Sequence, residues 1–189
     1  FHSLWCLGAQ RKGMVITMKI ETQCLHAGYT PGNGEPLTLP IYQSTTYKYE
    51  STAQVAKLFD LTADGHMYSR ISNPTVAAVE AKIAALEGGV GALCTTSGQA
   101  ASLISVLNIL SCGDHILCTS TIYGGTINLF AVTLKRFGIE VSFVDADASE
   151  EELKKQLRPN TKAVFAETIA NPAIAVLDIE KMAHVAHSH

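Results

Sequence analysis

The stretch Gly91-Ala-Leu-Cys-Thr-Thr-Ser-Gly-Gln-Ala-Ala-Ser-Leu-Ile-Ser-Val-Leu-Asn108 decides the fold. Its first part, Ala92 to Thr96, is short and largely apolar, which is typical of a buried strand. From Gln99 to Leu110 the apolar residues recur at helical spacing and place three leucines on one side, namely Leu103, Leu107 and Leu110. We therefore predict a strand, a tight turn and a helix in immediate succession.

The predicted turn consists of Thr96, Ser97 and Gly98. Two hydroxyls and a glycine that tolerates positive φ suit a sharp strand-to-helix junction. Such a junction directs unpaired backbone N–H groups and the positive end of a helix dipole at one point, which favours an anion such as phosphate. Similar turns occur in α/β proteins that bind no anion there. Whether this turn binds an anion therefore has to be judged from the other motifs.

The whole chain sets bounds on the class of protein. It has 189 residues, 47% of them hydrophobic, and a net charge of −3 with a pI near 6.2. This charge gives no reason to expect nucleic acid or an anionic membrane as a partner, and no apolar run approaches the roughly 20 residues of a membrane span. The five cysteines form no CxxC pair, and Cys94 and Cys118 lie in strand-like runs. We expect buried free thiols, no metal site and a cytoplasmic location.

Three regions differ in composition. Residues 1–17 hold the only tryptophan and lack a continuous apolar core, so we interpret them as a non-native or disordered leader and not as a signal peptide. Residues 18–74 are rich in turn formers, including Pro31 to Gly34, and predict an extended arm with one short helix that Ser51 caps. Residues 75–189 predict the first part of an α/β domain.

Strands and helices alternate in this last region. The strands are expected at Ala92–Thr96, His115–Thr119, Val141–Val144 and Thr161–Thr168. The helices are expected at Thr75–Glu87, Gln99–Leu110, Tyr123–Gly138, from Ser149 onwards and at Asp178–His187. This order predicts a three-layer α/β/α domain with a mostly parallel sheet. Since four strands make a thin sheet, we expect it to be incomplete on its C-terminal side.

Two further patterns carry structural predictions. The apolar positions of the helix that begins at Thr75 are expected to face inward, and these are Val76, Val79, Ile83 and Leu86. Three histidines near the end of the chain, His184, His187 and His189, have a spacing that a metal could use. No carboxylate or cysteine partner is nearby, so we predict a solvated helix terminus and no bound metal.

Polar signals follow the strands, where ligands of parallel sheets bind. Tyr68 and Arg70 offer a phenol and a phosphate fork, and Tyr123 places an aromatic face beside two glycines. Ser97, Gly98 and Gln99 form the turn described above, and Glu167 and Asn171 follow the fourth strand. Each signal alone also fits a surface arginine, a helix cap, a core tyrosine or an ordinary turn. Together they suit a ligand with a phosphate and a flat ring.

Four segments resemble the Cys/Met-metabolism family of pyridoxal-phosphate enzymes, and most closely the branch that acts on O-acetylhomoserine. They are Tyr68-Ser-Arg-Ile-Ser-Asn-Pro-Thr75, Thr96-Ser-Gly-Gln-Ala-Ala101, Tyr123-Gly-Gly-Thr126 and Glu167-Thr-Ile-Ala-Asn-Pro172. The resemblance covers about Ile20 to the end of the chain and implies a fold-type I transferase. Gly125 stands where the methionine γ-lyases of the family usually have cysteine, which favours a transferase over a lyase.

The resemblance also implies roles for the site residues. Gly98 and Gln99, in the turn with Ser97, are expected to bind the cofactor phosphate, and Tyr123 to stack on its ring and assist proton movement. Asn171 is expected to hydrogen-bond the ring's phenolic oxygen, and Glu167 to support that wall of the site. Tyr68 and Arg70 are expected to reach the phosphate of a neighbouring subunit's cofactor. The expected assembly is therefore a homo-oligomer, a tetramer built from dimers.

The activity that the resemblance implies is γ-replacement on O-acetylhomoserine, in which sulfide or a thiol displaces acetate. In that family an aspartate and a Schiff-base lysine lie further along the chain, and no lysine here has the expected setting. We therefore expect an N-terminal part of such an enzyme that is inactive alone. Two alternatives remain open: a γ-lyase or a cystathionine-forming or -cleaving enzyme of the same family, and a non-catalytic phosphate-binding α/β module.

Overall fold

The computed structural model describes residues 18–189, so the predicted leader lies outside the described residues. The chain divides into two compact units, one up to Cys94 and the other from Thr95 onwards. The division of the sequence into residues 1–17, 18–74 and 75–189 is not tested by these two units and remains a prediction. Within residues 18–189, no helix is both long and apolar enough to cross a membrane.

The described part of the first unit contains three helices, α1 (Ile20–His26), α2 (Thr52–Phe59) and α3 (Pro74–Glu87), of which α1 was not predicted. The predicted cap of α2 is confirmed, because the Ser51 hydroxyl oxygen accepts the Gln54 N–H at 3.2 Å. Helix α3 begins with a proline that needs no N–H partner, and it ends at Gly88 in a left-handed conformation (φ +64°). Local signals thus define both ends of α3.

A hydrogen-bond network holds the arm against the loop that precedes α3. The buried Asn73 donates from Nδ2 to the Tyr42 carbonyl oxygen at 2.9 Å and to the Ser69 Oγ at 3.0 Å. Its side-chain oxygen also accepts the Thr75 N–H and caps α3. The Tyr47 phenol lies 3.0 Å from the same Ser69 hydroxyl. The loop that carries Tyr68 and Arg70 is therefore anchored through its middle residue, Ser69.

The predicted inward face of α3 is wrong for three of its four positions. Val76, Val79 and Ile83 are 41–48% exposed, and Leu86 is half-buried. Helix α1 packs on α3, but nothing within this unit covers the valine and isoleucine side chains. Periodicity selected these positions as apolar, but it could not say what would cover them.

The second unit is built from three strands and four helices. In chain order these are α4 (Gly98–Ile109), β1 (His115–Thr119), α5 (Gly124–Asn128), β2 (Glu140–Val144), α6 (Glu150–Lys155), β3 (Thr161–Phe165) and α7 (Ile179–His187). Helix α5 continues as a π-helical segment over Leu129–Leu134. The capping box of α6 at Ser149 and Glu152 is confirmed.

The sheet is parallel throughout, with strand order β2-β1-β3. His115 is opposite Glu140 on one side and Thr161 on the other. The predicted strand Ala92–Thr96 is not formed, because none of the described strands pairs with it, and Leu93 is 71% exposed. The last predicted strand ends at Phe165 and not at Thr168.

The core lies on both faces of this sheet. One cluster packs α4 and the helix after Tyr123 against β1, and it contains Val106, Leu110, Ile116, Cys118, Phe130, Leu134 and Ile139. The other packs α6 and α7 against the opposite face, and it contains Leu117, Val144, Leu153, Met182 and Val185. Alternate residues of β1 enter the two clusters. The predicted three-layer α/β/α class is confirmed.

Of the four described cysteines, one is buried and three are exposed. Cys118 is buried as predicted, and burial raises the pKa of its thiol to about 12. The prediction for Cys94 is wrong, because this side chain is exposed where its expected strand is not formed. Among the described residues, no group of three or more His, Cys, Asp or Glu side chains could hold a metal.

A buried histidine joins the three strands at their N-terminal end. The ring nitrogens of His115 lie 2.8 Å from the Thr161 hydroxyl and 2.9 Å from the Ser142 hydroxyl. Both hydroxyl oxygens also accept N–H groups of Arg158, which in turn pairs with Glu140. Burial lowers the pKa of His115, the Arg158 cation lowers it further, and Glu140 opposes them. The ring is therefore neutral in the folded protein near neutral pH.

We expect the stability of this unit to fall in mild acid. Because the pKa of His115 is lowered from 6.5, the unfolded chain takes up the proton first. The contribution of His115 to the free energy of unfolding is thus complete above about pH 6.5, and it is lost as the pH falls from there through the pKa of the folded state. Urea unfolding between pH 5 and 8 measures this, and His115→Gln, which cannot titrate, should flatten the dependence. An unchanged slope in that variant would contradict the assignment.

Candidate functional site

The second unit has an open cleft where two helices begin and one strand ends. Its volume is about 380 Å³, and its lining comes from the start of α4, the start of α5 and the segment that follows β3. The lining residues are Ser97, Gly98, Gln99, Ser102, Tyr123, Thr126 and Glu167. Five residues predicted from the sequence as site residues therefore meet in one place.

One end of the cleft is suited to an anion. The Ser97 hydroxyl oxygen accepts the Ala100 N–H at 3.1 Å, and the Ser97 carbonyl accepts the next N–H of the helix. The backbone N–H groups of Gly98 and Gln99 have no acceptor within this unit. Nothing lies within 4 Å of the position that a Cβ would take at Gly98. Two free donors thus lie at the positive end of a twelve-residue helix, and the space beside Gly98 is open.

The other end presents an aromatic face. The Tyr123 side chain is 48% exposed, and its backbone N–H donates to the Glu167 carboxylate at 3.1 Å. A Cβ added at Gly125 would lie 2.5 Å from Cε1 of the tyrosine ring. The tyrosine ring therefore occupies the space that the missing side chain of Gly125 leaves free. Any larger residue there would have to displace the ring.

Two cleft residues were missed from the sequence. Thr126 is buried and accepts a hydrogen bond at 2.9 Å from the side-chain amide of Gln99. Ser102 lies one helical turn after Gly98 and lines the same cleft. The signal for Ser102 was its spacing of four residues from the turn glycine, and Thr126 already belonged to the Tyr-Gly-Gly-Thr segment.

Three predicted site residues are not among those that line the cleft. Asn171 is exposed in the loop after β3, a loop closed by an antiparallel bridge between Ile169 and Val176. Tyr68 and Arg70 belong to the first unit, where the guanidinium carbon lies 5.0 Å from the centroid of the tyrosine ring. Arg70 is exposed, and no carboxylate of the described residues pairs with it. Its charge is available to an anionic ligand.

No described lysine lines the cleft. Three of the lysines are engaged elsewhere: Lys82 with the carbonyls of Cys24 and Leu25, Lys154 with Glu150, and Lys181 with the carbonyls of Ala146 and Ala148. The cleft itself supplies hydrogen-bond donors, an aromatic face and one carboxylate.

Comparison with known proteins gives consistent relatives. The family described as Cys/Met metabolism PLP-dependent enzyme matches residues 21–189. The O-acetyl-L-homoserine sulfhydrylase of Corynebacterium glutamicum is 47% identical over 168 residues, which are 88% of this chain and 38% of that protein. The homocysteine/cysteine synthase of Saccharomyces cerevisiae is 45% identical over 172 residues, which are 89% of this chain and 38% of that protein. The chain spans about two fifths of the length of these relatives.

Solved structures agree with this result. A putative O-acetylhomoserine (thiol)-lyase from Campylobacter jejuni, which carries N'-pyridoxyl-lysine-5'-monophosphate, superimposes with a TM-score of 0.82 at 40% identity. The match covers 91% of this chain and 42% of that one. Cystathionine γ-lyase from Lactobacillus plantarum, in complex with L-serine, superimposes with a TM-score of 0.77 at 36% identity over 91% of this chain and 42% of that one.

Proposed function

Because the chain belongs to the Cys/Met-metabolism family of pyridoxal-phosphate-dependent enzymes, we propose that it supplies part of the active site for γ-replacement on O-acetylhomoserine. In this reaction the bond from Cγ to the acetate oxygen breaks and a bond from Cγ to sulfur forms. Sulfide gives homocysteine plus acetate, and methanethiol gives methionine plus acetate. The observation that carries the proposal is the cleft, in which two free N–H groups and a half-exposed tyrosine face the same space.

The residues of the cleft fit pyridoxal phosphate. The free N–H groups of Gly98 and Gln99, at the positive end of α4, suit a dianionic phosphate. The exposed face of Tyr123 suits a planar pyridine ring. When bound, the cofactor withdraws electrons from the substrate's α-carbon, which makes the α-proton easier to remove.

The chain's own residues would then bind, orient and move protons. Gly98 and Gln99 hold the phosphate, while the Tyr123 ring fixes the plane of the cofactor. Of the two ionisable side chains that line the cleft, Tyr123 is exposed and Glu167 is partly buried. We therefore assign the proton movement at the substrate to the Tyr123 phenol. Glu167 holds the tyrosine backbone, and Asn171 in the following loop is proposed to hydrogen-bond the ring's phenolic oxygen.

We propose that Tyr68 and Arg70 bind the cofactor phosphate of a neighbouring subunit. Support comes from the exposed, unpaired guanidinium of Arg70, which keeps its bidentate donors free, and from the anchored loop that carries it. This role requires a homo-oligomer, and we propose a tetramer of paired dimers that acts on small amino-acid substrates. The four described cysteines are free thiols, which supports a cytoplasmic location.

Two substitutions should affect different parameters. Arg70→Ala removes a charge-assisted and potentially bidentate contact, so cofactor affinity should fall about 10- to 100-fold. Tyr123→Phe keeps the ring and removes the hydroxyl, so turnover should fall about 100-fold while cofactor affinity changes little. Cofactor titration and steady-state kinetics measure the two effects. Equal losses of affinity in both variants would contradict the assignments.

The proposed reaction is tested on the protein expressed from the complete reading frame that encodes these residues. O-acetylhomoserine is supplied with and without sulfide, and the products are identified by mass spectrometry. Homocysteine and acetate that appear only with sulfide support the proposal. Release of 2-oxobutanoate without sulfide would instead indicate a γ-lyase, and product formation only with cysteine would indicate a cystathionine-forming enzyme. If the protein binds neither pyridoxal phosphate nor O-acetylhomoserine, the result favours the alternative of a non-catalytic phosphate-binding module.

A further inference from the structure

We infer that the side chain of Gln99 positions Tyr123 by way of Thr126, and so sets the spacing between the phosphate-binding and ring-stacking ends of the cleft. This inference rests on the proposed function, which gives the two ends of the cleft their roles. The contacts between Gln99, Thr126 and Tyr123 come from the structure alone. The Gln99 amide nitrogen donates to the Thr126 hydroxyl at 2.9 Å. The two residues lie in the first turns of different helices, α4 and α5, so the bond connects the two ends of the cleft directly.

Thr126 transmits this contact to the tyrosine. Its side chain is only 3% exposed, so its hydroxyl has little access to water as an alternative partner. Its backbone N–H donates to the Tyr123 carbonyl oxygen at 2.8 Å, and the N–H of Ile127 donates to the same oxygen at 3.0 Å. A displacement of Thr126 therefore displaces the carbonyl group of Tyr123.

The start of α5 depends on such contacts because it has no side-chain cap of its own. On the other side of Tyr123, the backbone N–H is held by Glu167 at 3.1 Å. The ring itself lies against Gly125. Gln99 thus acts at both ends of the cleft, with its backbone N–H directed at the phosphate site and its side chain holding the tyrosine segment.

The first test observes Tyr123 in the ligand-free protein. Tyrosines are replaced by 3-fluorotyrosine, and the Tyr123 resonance is assigned from the Tyr123→Phe variant. Gln99→Met and Thr126→Val each remove the hydrogen bond with little change of volume, and both should shift or broaden that resonance. The double variant should show no further change, and Thr126→Ser, which keeps the hydroxyl, should restore the original signal. Gln156→Met is the matched control, since its exposed glutamine is remote from this bond.

The second test uses two ligands, inorganic phosphate and pyridoxal phosphate. Gln99→Met retains its backbone N–H, so affinity for inorganic phosphate should stay within about twofold. Affinity for pyridoxal phosphate should fall about three- to tenfold, as expected for one lost hydrogen bond that orders the stacking face. An equal loss for both ligands would overturn the positioning role and indicate a damaged turn.

The two tests separate the inference from the proposed function. An unchanged Tyr123 resonance in both Gln99→Met and Thr126→Val overturns the positioning role whatever the ligands do. If the unmodified protein binds neither ligand, the proposed function fails, while the fluorine spectra still decide whether Gln99 positions Tyr123. Should Thr126→Val fold poorly, Gln99→Met alone decides the first test, because Gln99 is only partly buried.

Discussion

Phe130→Ala should lower the free energy of unfolding of the second unit by about 3 to 5 kcal/mol, the range measured when a buried aromatic side chain is removed. Phe130 is fully buried in the π-helical segment, and its ring meets the Phe165 ring edge-on, with centroids 4.8 Å apart and planes at 72°. Truncation therefore opens a cavity between the helix and β3. Urea denaturation followed by circular dichroism measures the loss.

A matched control lies in the turn that follows this helix. Phe137 is 48% exposed, so Phe137→Ala should cost about 1 kcal/mol or less. If Phe130→Ala leaves too little folded protein to titrate, Phe130→Leu retains most of the volume and should cost about 1 to 2 kcal/mol. Similar losses for the two alanine variants would show that Phe130 does not form the centre of this core.

Gly28→Ala should destabilise the first unit by about 2 to 5 kcal/mol. Gly28 has φ +87°, and an added Cβ would lie 2.2 Å from the carbonyl oxygen of Ala78 and 2.9 Å from the backbone nitrogen of Lys82. Both neighbours are backbone atoms of α3, so neither can move aside as a flexible side chain would. Hydrogen exchange of the α3 amides, resolved by mass spectrometry, reports the loss for this unit.

Gly34→Ala separates the two causes of that loss. Gly34 has a similar φ of +81°, but no atom lies within 4 Å of the position that its Cβ would take. Only the cost of the left-handed backbone remains, about 1 to 2 kcal/mol. If both variants speed exchange in α3 to the same extent, the close approach of Gly28 to α3 does not contribute to the stability of this unit.

Local signals predicted most of the elements, because caps and periodicity act over a few residues. The cap of α2 at Ser51 and the capping box at Ser149 are examples, since each is complete within four positions. The cleft was predictable for a related reason. Helix starts and strand ends of parallel βαβ units meet at one edge of a sheet, so the turn at Gly98, Tyr123 and Glu167 could be expected to come together.

Other features depend on partners that no local pattern specifies. Ala92–Thr96 has the composition of a strand, but a strand also needs a neighbour to accept its hydrogen bonds. Periodicity selected the apolar positions of α3 without any indication of what would cover them. The bond between Gln99 and Thr126 joins residues 27 positions apart, so it follows from how α4 and α5 are placed. No sequence signal predicted the π-helical segment that carries Phe130.

The strand order β2-β1-β3 also bears on how the chain assembles during translation. The central strand is the first of the three to leave the ribosome, and each later strand adds to an edge that already exists. A nascent chain can therefore extend its sheet outward in the order of synthesis, without opening a pairing that has already formed. Each strand follows the one before it after a single helical crossover, which limits the length of chain that stays unpaired while the next strand is added. Vectorial synthesis and sheet growth thus proceed in the same sequence.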